Sequence, residues 1–99
     1  MKFMVRWGVD QDQWLPVLKK WGSMTAKQRA NAGKGVKIIG RWHDQGGRQG
    51  VAILETADLA ALGRYLGQWN PYMDLDVTPV LDDEESAALA RSVTADHGV

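Results

Sequence analysis

Ninety-nine residues make one domain, with no room for a second core. Twelve Lys and Arg balance twelve Asp and Glu, a neutral sum that lacks the basic face a nucleic acid or an anionic membrane requires. Apolar residues at 44% suffice for a core, and the absence of cysteine removes disulfides, thiolate nucleophiles and Cys-based metal sites. No window approaches the ~20 apolar residues of a membrane span. Arg6 interrupts the start before any long apolar run, so no signal peptide is expected. The expectation is a soluble cytoplasmic domain with neither nucleic-acid nor membrane partner.

Lys2 to Trp7 alternates with period two, Phe3, Val5 and Trp7 against Lys2, Met4 and Arg6, which predicts a strand with unlike faces that ends at Gly8. Asp10 and Asp12 suit a helix start, followed by Trp14, Leu15, Leu18 and Trp21 at helical spacing. Pro16 is expected in the first turn of that helix, and Gly22 is expected to stop it. Thr25 and Gln28 have capping-box spacing, predicting a short helix over Ala26 to Ala32. Val36 to His43 and Val51 to Thr56 read as a hairpin of two strands across an Asp44-Gln45-Gly46-Gly47 turn. A helix from about Ala57 to Trp69 carries the stripe Leu59, Leu62, Tyr65, Leu66 and Trp69, capped by Thr56 or Asp58. Met73 to Val80 is the last strand, placed at an edge by Pro79. The acids Asp82 to Glu85 favour a helix start, with a helix over Ala87 to Val93 and a flexible tail over 94–99.

The order βαββαβ with an extra C-terminal helix is the α+β, ferredoxin-like arrangement, over residues 1–93. Its antiparallel four-stranded sheet carries both main helices on one face and leaves the other bare. The run Gly35-Val36-Lys37-Ile38-Ile39-Gly40-Arg41-Trp42-His43-Asp44 bears a more specific likeness, as do Glu55-Thr56 and Val77-Thr78-Pro79-Val80-Leu81-Asp82-Asp83-Glu84-Glu85. With Ser23-Met24-Thr25 and Arg29-Ala30-Asn31, these stretches resemble a small bacterial family of unknown function, over roughly residues 1–90. That family is similar to the dimeric α/β-barrel superfamily, whose members include cofactor-free monooxygenases, isomerases, dehydratases and haem enzymes. The resemblance implies a homodimer with two sheets face to face. It implies no particular reaction.

Strict alternation assigns Phe3, Val5, Trp7, Val36, Ile38, Trp42, Leu54 and Val77 to the helix side. The opposite face then holds Met4, Arg6, Lys37, Ile39, Arg41, His43, Ile53, Glu55, Asp76 and Thr78. A face mixing aliphatic and ionisable groups has the makeup of a small-molecule pocket. Candidate ligand-binding residues are therefore Arg6, Arg41, Glu55, Trp42, Ile39, Ile53 and Thr78. Trp42 is included because a bulged strand end would turn it into a pocket wall. His43, whose imidazole titrates near neutrality, is the candidate acid–base catalyst. The plainer alternative is that His43 bonds a loop beside Asp44. Arg6 and Glu55 lie on neighbouring strands and read either as an anion site or as a structural ion pair. One folded-part His and no Cys leave no ligand set for a transition metal, and no cofactor is expected. The functional expectation is a homodimer binding a small organic molecule, including a cofactor-independent enzyme using His43 with Arg6 or Arg41. The competing reading is a non-catalytic assembly module whose polar sheet face is only a dimer seam.

Overall fold

The computed structural model describes all 99 residues. Strands β1 (Lys2–Gly8), β2 (Val36–Asp44), β3 (Gln49–Thr56) and β4 (Asp74–Val80) form one antiparallel sheet in the order β2-β3-β1-β4. Helices α1 (Gln11–Ser23), α2 (Ala26–Ala30), α3 (Leu59–Leu66) and α4 (Asp83–Asp96) complete the ferredoxin-like βαββαβ fold with its C-terminal addition. β4 pairs only with β1, which tolerates Pro79 because an edge position asks no amide of it.

The core lies between the sheet and the helices. Phe3, Val5, Ala52, Leu54 and Leu62 are buried together, with Trp7, Val36, Ile38, Tyr65, Leu66 and Leu75 packed around them. Local chemistry fixes the helix starts. Thr25 and Gln28 form the expected capping box, and the Asp58 carboxylate accepts from the Ala60 amide. The buried Thr56 hydroxyl donates to the Gly35 carbonyl at 2.8 Å and accepts from the Asp58 amide at 3.0 Å, tying β3 to the loops flanking it.

Several details differ from the expectations. Pro16 sits beyond the first turn of α1, on its exposed side, where water can take the Asp12 carbonyl that proline leaves without a donor. The buried contact of α1 is Val17, while Leu15 is 76% exposed. In α3 the buried pair is Ala61 and Leu62, and Leu59 is exposed. α2 is shorter than expected, and α4 is longer: it runs on to Asp96, through part of the segment read as a tail.

α4 opens on a second capping box, Asp82 with Glu85. Lys2 reaches Glu55 and Asp82, each at 3.1 Å, and Glu85 at 3.5 Å, so this ammonium joins β1 and β3 to the start of α4. Hydrogen bonds to Asp82 and then Glu55 raise the Lys2 pKa well above its ordinary value. Beyond that anchor α4 leaves the body with Leu89 and Val93 exposed. The radius of gyration is 16.5 Å, against about 13 Å for a compact chain of this length. No helix is long and apolar enough to cross a membrane.

Candidate functional site

A bulge in β2 decides where the candidate residues stand. Ile38 pairs with Leu54 and Gly40 with Ile53, so Ile39 is an extra residue on that strand. One extra residue shifts the alternation by one and reverses every facing beyond it. Arg41 therefore stands opposite Ala52 and His43 opposite Gly50, on the helix side, while Trp42 stands opposite Val51 on the bare face. The expectations for Arg41, His43 and Trp42 are each corrected by this one irregularity. Gly40 carries the signal for it, because an isolated glycine inside a strand marks a bulge or a close approach. Here the Trp42 ring folds over Gly40 and fills the place of a Cβ.

The candidates divide into two groups. Arg6, Glu55, Ile53, Thr78, Ile39 and Trp42 belong to the bare face. Arg6 is opposite Val51 and Asp76, and the partner of Glu55 is Lys2, so no Arg6–Glu55 pair exists. Ile39 and Trp42 are 47% and 61% exposed, and Met4, Val51 and Ile53 are half-buried.

Arg41 and His43 meet elsewhere, in a cleft between the sheet and the helices. It opens at the end of the sheet where β1 and β2 finish and β3 and β4 begin. Trp7 comes from β1, Trp14 and Trp21 from α1, Tyr65 and Leu66 from α3, and Trp69 and Met73 from the segment after α3. The free space is about 80 Å³ and is partly open to solvent. Sequence reasoning treated these tryptophans as core. Four line the cleft instead, with Trp21 and Trp69 centroids 6.1 Å apart in an edge contact.

The His43 ring lies 5.4 Å from Trp7 and 5.1 Å from Trp21, and the residue is exposed. Gly50 makes this possible: any side chain there would run into the Trp7 ring and, at 2.6 Å, the Trp42 carbonyl oxygen. Burial and then the Arg41 charge lower the His43 pKa below its ordinary value, which favours the neutral imidazole. The Asp44 carboxylate turns away. It accepts from Gln49 and from the Gly47 amide, and those two bonds lower its pKa.

Arg41 donates to the Arg29 carbonyl at 2.8 Å and, weakly, to the Tyr65 hydroxyl at 3.4 Å. Its guanidinium stands 4.6 Å from the Trp21 ring centre, and that of Arg29 stands 5.9 Å away. Lys20 lies 4.7 Å over Trp69 and 4.9 Å over Tyr72. The arrangement can hold a flat apolar body among indoles, present fixed cations to it and exchange a proton at His43. No three His, Asp or Glu side chains converge in metal-ligating geometry.

No curated protein matches this sequence. A family model, described as a domain of unknown function (DUF3303), matches residues 1–94. With nearly the whole folded chain inside that match, this ferredoxin-like protein belongs to that family of unknown function.

Proposed function

We propose that the protein is a cytoplasmic homodimer that binds a small organic molecule in the cleft between helices and sheet. One observation carries the ligand site: His43 and Arg41 enter an open, indole-walled cleft together, one with a lowered pKa and the other outside any ion pair. A largely apolar concavity with a few convergent polar groups is the usual form of a small-molecule site. If the molecule reacts, His43 is the acid–base group and Arg41 the oxyanion partner. Arg6 stands on the other side of the sheet, away from this chemistry.

The bare face supports the dimer. Ile39, Trp42, Ile53 and Met4 present apolar surface there, and burying each contributes on the order of 1.5–3 kcal/mol. Arg6, Glu55 and Thr78 then line the seam between two sheets, where they either contact ligand or fix the register of the subunits. The reading as an assembly module without ligand draws on the small free space of the cleft, about 80 Å³.

The five indole N–H groups are built-in reporters. A fragment screen by proton–nitrogen NMR should move the signals of Trp7, Trp21 and Trp69 together and leave Trp42 in place. Light scattering on the same sample should give twice the 11.0 kDa of one chain. A monomer at micromolar concentration overturns the dimer, and indole signals unmoved by any fragment overturn the ligand site.

A further inference from the structure

The cleft has a charge pattern that its ligand must match. Arg41 lines it, and Lys20 and Arg29 stand over two of the indoles that wall it, Lys20 over Trp69 and Arg29 over Trp21. None of the three has a carboxylate partner. No acidic residue lines the cleft. A cation inside a cleft without a carboxylate, with two more on its walls, makes a local field that attracts an anion.

The shape of the ligand follows from the walls. Trp7, Trp21 and Trp69 offer flat faces and edges, which suit a ring stacked or set edge-on rather than a bulky aliphatic body. Arg41 spends two donors on Tyr65 and the Arg29 carbonyl and retains others in its planar fork. That fork matches the two oxygens of a carboxylate. The free space, about 80 Å³ and partly open, suits a small occupant such as a single ring.

We infer that the cleft binds a single-ring aromatic carboxylate, ring between the Trp7, Trp21 and Trp69 indoles and carboxylate on Arg41. This rests on the cleft being the ligand site, as proposed above, and adds the chemical class of the ligand.

The test compares benzoate with benzyl alcohol, which keeps the ring without the charge, and with cyclohexanecarboxylate, which keeps the charge without the flat ring. Each is titrated to millimolar concentration while the indole N–H signals are followed. Benzoate should move Trp7, Trp21 and Trp69 and bind about tenfold tighter than either control, the worth of one charge-assisted bond or of the ring contacts. Arg41→Gln should erase the advantage of benzoate over benzyl alcohol and leave benzyl alcohol binding as before. The comparison on the unaltered protein stands even if that variant does not fold. Equal affinity for benzoate and benzyl alcohol overturns the anion, and equal affinity for cyclohexanecarboxylate overturns the aromatic ring; both leave the cleft as a ligand site. No movement of the three indoles with any of the compounds overturns this inference, and the fragment screen then decides the cleft separately.

Discussion

The two faces of the sheet are built from the same four strands and treat apolar surface in opposite ways. On the helix side apolar groups are buried, Leu54 and Leu62 each 1% exposed, and Arg41 and Lys20 rest on aromatic rings. On the bare side Trp42 and Ile39 stand in solvent, beside a Lys2 bonded to three carboxylates and an Arg6 and Lys37 in no ion pair. Unpaired cations beside rings are poised for a ligand, whereas exposed apolar side chains on a flat sheet are suited to another flat surface. The proposed function gives the two faces different work, a ligand to one and a second copy to the other.

The largest test of this contrast is truncation on each face. Leu54→Ala should lose about 2–5 kcal/mol in urea unfolding, since a cavity opens in the packed layer. Trp42→Ala should cost under about 1 kcal/mol in the isolated subunit and act on dimer dissociation instead. A Trp42→Ala loss as large as that of Leu54→Ala, without a change in association, would place Trp42 in a core.

The paired glycines sharpen the comparison. A Cβ at Gly50 meets the packed Trp7 ring and the Trp42 backbone, so Gly50→Ala should cost about 1–3 kcal/mol and disturb the His43 environment. A Cβ at Gly40 meets only the far end of the exposed Trp42 ring, which can swing aside. Gly40→Ala should therefore be the milder change in thermal melting, and the reverse order would place the crowding on the bare side.

The smallest effect is in pH. The folded state holds the His43 pKa below the ordinary 6.5, so the unfolded chain takes the proton more readily. Stability should fall as pH drops through about 6.5, and His43→Gln should flatten the urea midpoint between about pH 7 and 5. The Asp82 carboxylate has a lowered pKa, through the Glu85 amide and then Lys2, and its contribution disappears only in the separate window below 3.8.

The order of elements was legible because it rests on local signals. Period-two runs, the Thr25 and Gln28 cap, the acids at Asp82 to Glu85 and the edge-seeking Pro79 each act within a few residues. Helix faces were legible less fully. The spacing of Leu15 and Leu59 matches a stripe, and both lie at its margin, where coverage depends on which element is opposite.

The candidate site shows the limit more sharply. His43 and Arg41 were visible as residue types suited to binding, but their facing was not, and the tryptophans around them read as core. Alternation along a strand is a chain property only while the pairing register is unbroken. At Ile39 the register is set by β3, where Gly50 leaves room for the Trp7 ring and Ile53 faces Gly40. Composition and periodicity thus suffice for the ferredoxin-like topology, whose determinants are near neighbours in the chain. The pairing of β2 with β3 alone placed His43 and Arg41 among the indoles, because one inserted residue turns a whole strand end over and its energetics are settled by packing between strands.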